Sequence, residues 1–385
     1  MNRFCLFCVM LVFSGTLLFA ADWSGVLDST VNYTAGAGDA PDNSFGIEQY
    51  ANLRLRVRAR EIATFHAAFN LIALSGNFAL PAVYSGLALE GPNYAAAMEL
   101  ERLYVRMSGE HLDSELGLLR MNFGYSQVWA SSDFINPVNP LAYNARPRGV
   151  LGLNASIYPT DTTRLMGFVA APRNPLETEG AGFLPGLVMD QHWSRASLQA
   201  LYAYETALDA TPGGLHRFGL SIKADLELGF VVDALFTLNP DDIDGINGLS
   251  AGLGFDYSFF GGDLYVLAEY LYNGSSSVSA HDSGGNWQNN HYLYGSALYR
   301  FNDFFTMSLG TFLCLDDMSF LPIISADYEL FQGFTLNISA RLPLDQKTLN
   351  DGRPGELGPI PPLADGSEGA AGASFVVNAG AKLRF

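Results

Sequence analysis

Arginines at every second position form the strongest chemical pattern in the chain. Residues 50–61 read YANLRLRVRARE, with Arg54, Arg56, Arg58 and Arg60 alternating with Leu53, Leu55, Val57 and Ala59. Strand side chains point to opposite faces at a period of two, so this segment has one cationic face and one apolar face. Guanidinium groups stay charged in proteins and grip carboxylates or phosphates through a planar fork of donors. Like charges stacked along one strand repel, so the pattern calls for neighbouring acids or for an anion that binds or passes. His66, Arg102, Tyr104, Arg106, Arg120, Asn122, Arg341, Lys382 and Arg384 share this parity within their own alternating segments and extend the cationic face. Asp233, Asp256 and Glu269 have the same inward parity farther along the chain and predict an acidic wall opposite. Two walls of opposite charge produce a transverse field that orients and filters solutes. The alternative is an interior network in which the arginines only pair with Glu99 and Glu101. Those two acids have the parity of Leu103 and Val105, and a bulge near Leu100 would re-aim them inward.

Such faces need strands with lipid on one side and water on the other. The last residues show this most clearly. Phe375, Val377, Ala379, Ala381, Leu383 and Phe385 alternate with polar or small residues, and the chain stops on the phenylalanine. Arginine on a lipid face costs about 2–4 kcal/mol at mid-depth, so the ladder must point into water. The edge of a soluble sandwich is the competing reading of one such strand. Eighteen alternating segments argue against it, each near the 9–11 residues a tilted membrane strand needs. The connections between them alternate long and short, as in outer-membrane barrels. Gly261-Gly262, Asn302-Asp303 and Gln332-Gly333 supply turn chemistry on the short side. Phe259, Phe260, Phe301, Phe304, Phe331, Phe334, Tyr158, Trp193 and Phe385 flank those turns and predict an aromatic girdle. The expected fold is therefore all-β: a closed antiparallel transmembrane β-barrel of about 18 strands, with 16 as runner-up if one hairpin near Leu187 is absent.

Arg3 followed by an apolar run to Phe19 and then Ala20-Ala21 reads as a signal peptide over residues 1–21, leaving the barrel at 22–385. The first strand begins directly after it, which predicts no N-terminal plug. The mature chain keeps one cysteine, Cys314, expected as a buried or lipid-facing small side chain. Net charge is -18 and mean hydropathy +0.13. That acidity excludes a nucleic-acid footprint, which is basic. Hydrophobicity without long apolar runs fits alternating strands. No His, Ser or acidic spacing marks a catalytic site, so no enzyme, metal or cofactor is expected. The acidic loop at 239–248 departs from the order of a calcium-binding loop.

Residues 99–150 add a resemblance. Glu101-Arg102-Leu103-Tyr104, then Gly117 to Gly124 with Arg120 in place, then Asp133-Phe134-Ile135-Asn136-Pro137 resemble a pattern in porin-like outer-membrane barrels, including alginate-export-type and related channel families. The resemblance implies that loop 124–149 folds inward as a constriction, with Gln127, Trp129, Asp133, Asn136, Arg146 and Arg148 lining it. The sequence thus predicts an outer-membrane channel for small hydrophilic, anionic solutes. Its partners are outer-membrane lipid and, through the strand ending at Phe385, the barrel assembly machinery. The alternative is a surface adhesin or structural barrel with an occluded lumen.

Overall fold

The structure is a computed structural model. It describes residues 20–35, 44–59, 62–76, 87–91, 94–136, 138, 140–141, 149–171, 182–206, 214–240, 248–274, 289–345, 356–357 and 375–385. Twenty strands follow one another: β1 (Ala20–Ala35), β2 (Ser44–Ala59), β3 (Ala63–Gly76), β4 (Leu87–Gly91), β5 (Tyr94–Ser108), β6 (Leu112–Leu119), β7 (Val150–Thr160), β8 (Thr163–Ala171), β9 (Leu184–His192), β10 (Ala196–Glu205), β11 (Leu215–Asp225), β12 (Gly229–Leu238), β13 (Leu249–Phe259), β14 (Leu264–Asn273), β15 (His291–Arg300), β16 (Phe305–Cys314), β17 (Ser319–Phe331), β18 (Phe334–Arg341), β19 (Leu344–Asp345) and β20 (Phe375–Arg384). All but β4 and β19 form a closed antiparallel ring of 18 strands. Each strand pairs with its chain neighbour, and β20 closes the ring on β1 from Val26↔Arg384 to Ala35↔Phe375. Closure removes the unpaired edges that a flat sheet would leave.

The period-two pattern explains why these residues form strands rather than helices. Along the β1–β20 and β1–β2 seams, Leu27 stands beside Leu383 and Ala51, and Val31 beside Ala379 and Ile47. These apolar rows face outward, while Asp28, Thr30, Asn52 and Asn378 on the intervening rows are buried inside the barrel. The tight turns work as their residues suggest. Asn302 Oδ1 accepts the amides of Phe304 and Phe305, each at 2.9 Å. Gly261 and Gly262 take φ of 70° and 106° in the 3-10 turn after β13, values a side chain would oppose. Trp193, Phe260, Phe301, Phe304, Phe331 and Phe385 are exposed around these turns.

Three departures from the sequence reading have local causes. β6 stops at Leu119 rather than running to Phe123, because the chain leaves the wall there and turns into the lumen. The short β4 pairs with β5 from Leu87↔Met98 to Gly91↔Tyr94, in the half of β5 that β6 does not reach. β2 also begins at Ser44, earlier than the Tyr50 start expected from the pattern. The signal-peptide expectation falls almost wholly outside the described residues, which begin at Ala20.

Candidate functional site

The ladder is built by β2 between β1 and β3. Arg54, Arg56 and Arg58 are exposed to the interior of the barrel, opposite Ala68, His66 and Thr64 on β3. One strand farther, Arg102, Tyr104 and Arg106 of β5 complete the same three rows. His66 and Tyr104 stack with ring centroids 4.7 Å apart and planes 10° from parallel, which sets a flat pair between the arginine rows. Arg102 reaches Glu101 at 3.2 Å, and Arg106 reaches Asp113 at 3.3 Å and Glu115 at 4.0 Å. Among the described residues, no carboxylate lies within 4.0 Å of Arg54, Arg56 or Arg58. Arg54 donates instead to Asn52 Oδ1 at 2.5 Å. Arg60 lies outside the described residues.

A β-bulge explains the acids that broke parity. The β3–β5 register shifts between Ala68↔Arg102 and Phe69↔Leu100, leaving Glu101 as the extra residue. Glu99 then stands opposite Asn70 on the inner face, and both are buried. Asn52 Nδ2 donates to Asn70 Oδ1 and to Glu101 Oε2, each at 2.7 Å, and Tyr50 donates to Asn70 Oδ1 at 2.8 Å. Asn52 was not singled out by sequence, although its parity with Arg54 places it on the inner face.

The opposite wall differs from expectation. Glu269 is 2% exposed and accepts the backbone amides of Gln127, Val128 and Trp129 at 2.7, 2.9 and 3.0 Å. Asp233 is fully buried and accepts hydrogen bonds from Ser132 and from Ser221 Oγ. Gly124 donates to Gln199 Oε1 at 2.8 Å, and Arg341 Nη1 donates to the Leu141 carbonyl at 2.8 Å. Asp233 and Glu269 are thus anchors for an inserted loop. Desolvation gives the reason: a buried carboxylate must be satisfied by donors, and a loop's unpaired amides supply them. Asp256 stays half-buried on the inner face of β13.

The loop brings an apolar underside to the wall. Met121, Phe123, Phe134 and Ile135 cluster with Met166, Phe168, Val188, Leu201 and Leu235 inside the barrel. Trp129 packs on Tyr292 and Phe312, with centroids 5.8 and 5.6 Å away. Trp129, Asp133 and Asn136, expected to line a constriction, are therefore buried against the wall and fasten the loop. Asn136 Oδ1 accepts the Met121 amide at 2.8 Å, and its own amide donates to Asp133 Oδ1 at 3.3 Å. Burial raises the Asp133 carboxyl to about 7, against the lowering by the Asn136 amide and by Arg120. Gln127 is exposed, its amide donating to Tyr265 at 2.8 Å. Asn122 is exposed on the loop rather than on a strand face, and Arg120 stands at the loop's start. Lys382 pairs with Asp28 at 3.2 Å, and Arg384 is exposed near the turn end of β20. Arg146 and Arg148 lie outside the described residues.

No protein-family model matches the chain, and no curated protein does. Solved structures do. OccAB1 of Acinetobacter baumannii aligns over 94% of this chain and 97% of its own, with a TM-score of 0.55 and 8% identity. OccK5 (OpdH) of Pseudomonas aeruginosa aligns over 94% and 98%, with a TM-score of 0.54 and 10% identity. This is a porin-type barrel fold. At such identity the likeness concerns the path of the chain and carries no solute with it. Within a porin-type barrel, a loop fastened to one inner wall leaves the opposite wall, here the arginine ladder, facing the remaining space.

Proposed function

We propose that the protein is a non-enzymatic channel of the bacterial outer membrane through which small hydrophilic, preferentially anionic, solutes diffuse passively. The observation that carries this reading is the ladder: three arginines exposed inside the barrel, with no carboxylate within 4.0 Å among the described residues. Unpaired guanidiniums on an inner wall attract anions and repel cations where the bore is narrowed. An 18-stranded ring is too wide to be filled by wall side chains alone, and the inserted loop narrows it from the other side. The apolar outer face and closed ring support membrane insertion. The amphipathic last strand supports delivery to the assembly machinery, and the apolar start of the chain supports export by a signal peptide.

Reversal-potential measurements in a planar bilayer under a salt gradient test the selectivity. The Arg54→Gln, Arg56→Gln, Arg58→Gln triple variant is expected to shift the reversal potential toward cations while remaining folded. An unchanged ion preference would show that the ladder does not set selectivity. A second reading, a surface adhesin or structural barrel with an occluded lumen, draws on the apolar cluster that fills one side of the interior. Folded protein that shows no single-channel step would favour it.

A further inference from the structure

On the outer face, the seam of β20, β1, β2, β3, β4 and β5 carries an open groove of about 710 Å³. Its floor is built from small residues, Ala51, Ala73, Ala96 and Ala381, and its rim from Leu27, Leu71, Leu89, Met98, Leu383 and Phe334. Across the middle runs one row of paired residues, Ala381–Ser29–Gln49–Ala73–Ala96. Gln49 is exposed, and its Nε2 donates to Ser29 Oγ at 2.6 Å. Among the described residues, the Gln49 side-chain carbonyl oxygen and its second N–H have no hydrogen-bond partner.

Depth makes this amide unusual. On β1, Trp23 and Tyr33 mark exposed aromatics near the two ends of the outer face, ten residues apart in numbering. At about 3.4 Å per residue and a tilt of about 40°, that span is about 25 Å, the height of a barrel's apolar band. Ser29, and with it Gln49, lies near the middle of that band. Among the described outward strand positions, the other amide, Gln191, lies at the turn end of β9 and is bonded to Thr162 and Thr163. Hydrocarbon offers an amide neither donor nor acceptor, and a headgroup does not reach mid-depth.

We infer that this groove is the contact between two copies of the chain, joined on a two-fold axis through Gln49. The inference rests on the membrane placement of the outer face. A primary amide presents a donor and an acceptor side by side. Two such amides related by a two-fold axis therefore satisfy each other with reciprocal hydrogen bonds, and an isologous interface supplies that relation. The small floor residues let the two walls approach closely, as small residues do where membrane segments associate. An acyl chain would fill the groove but leave the amide bare.

The experiment uses the full mature protein in lipid nanodiscs. In a Cys314→Ser background, Gln49→Cys is expected to form a disulfide-linked dimer on mild oxidation, whereas Leu309→Cys, exposed on the outer face of β16, is not. Native mass spectrometry should show a wild-type dimer, and Gln49→Leu should lower its association constant at least tenfold while the barrel keeps its heat-modifiable migration on gels. A wild-type monomer, or cross-linking at Gln49→Cys no greater than at Leu309→Cys, would overturn the inference. So would a monomer carrying a lipid mass that Gln49→Leu loses, which assigns the groove to lipid. Bilayer conductance of Gln49→Leu stays at the parent value if the channel reading holds, so failure of the dimer and failure of the channel are separable.

Discussion

Replacing Glu269 with glutamine tests whether the acidic wall exists to hold the loop. The carboxylate accepts three consecutive backbone amides, of Gln127, Val128 and Trp129, at 2.7–3.0 Å, and is 2% exposed. Hydrogen bonds to a charged group contribute about 1.5–3 kcal/mol each. A glutamine carbonyl in the place of Oε2 keeps the Val128 and Trp129 amides as weaker, uncharged bonds. Its NH2 then faces the Gln127 N–H, so one bond is lost and two are weakened, a cost of about 3 kcal/mol. At about 1.4 kcal/mol per factor of ten, the detached population of the loop should rise roughly a hundredfold. The strands themselves stay paired, since no ladder bond is touched, and Trp129 keeps its contacts with Tyr292 and Phe312. Amide exchange at Val128 and Trp129 is expected to accelerate by about two orders of magnitude at constant heat-modifiable mobility. Single-channel current should become noisier and larger on average. Exchange at Val128 and Trp129 unchanged within a factor of three would refute the anchoring role.

Deleting Glu101 should remove the bulge while leaving Glu99 and Arg102 on the inner face, because the remaining residues then alternate in step with β3. The barrel is expected to fold, Arg102 to lose its 3.2 Å partner, and anion preference in bilayers to increase; a fall in preference would count against this register. Gly117→Val should block assembly, as measured by heat-modifiable migration: Gly117 has φ of 133°, and an added Cβ would lie 2.3 Å from the Leu103 carbonyl oxygen. Asp133 predicts a pH-dependent seat for the loop. With its carboxyl raised by burial from 3.8 to about 7, ionisation costs the folded form up to about 4 kcal/mol. That cost is absent below pH 4, grows through pH 7 and is complete above it. Protection of the loop amides relative to their intrinsic exchange rates should therefore fall, and current noise rise, from pH 5 to pH 8, and Asp133→Asn should flatten both dependences.

The strands were legible because each carries its own alternation. Every one of the eighteen ring strands coincides with an alternating run, and the turns at Gly261-Gly262 and Asn302 behave as their residues suggest. Glu99 and Glu101 were legible only as a fault in the pattern. Parity cannot show a bulge directly, but two acids in a lipid-facing phase require one, and the register shift lies where they demanded it. The course of the loop was not legible. Glu269 meets Trp129 across 140 residues and Ser132 meets Asp233 across 101. Nothing local in either segment distinguishes an acid that faces water from one that caps a loop's amides. Asp133 and Asn136 were identified as functional positions from their motif. Their burial follows from the apolar neighbours Phe134 and Ile135, which pull that stretch against Leu235 and Phe168.

The same fastening leaves the arginine ladder of β2 exposed inside the barrel in a chain of net charge -18. Two inward acids of the far wall, Asp233 and Glu269, are covered by the loop that they bind, and no exposed carboxylate of theirs remains to oppose the ladder. Arg341 and Lys382 are likewise occupied, one by the Leu141 carbonyl and one by Asp28. Among the described residues, Arg54, Arg56 and Arg58 make no ion pair and lie together on β2. Loop and surface acids set a potential that salt screens within about 8 Å, so they act at the mouths rather than at mid-depth. On the proposed function, selectivity should then depend weakly on surface acids and strongly on Arg54, Arg56 and Arg58. Neutralising exposed acids near the turns, such as Glu110 and Asp161, should alter conductance at low salt but leave the sign of the reversal potential fixed. A reversal of sign by those substitutions, measured in the same bilayers, would place the filter at the mouth and not on the ladder.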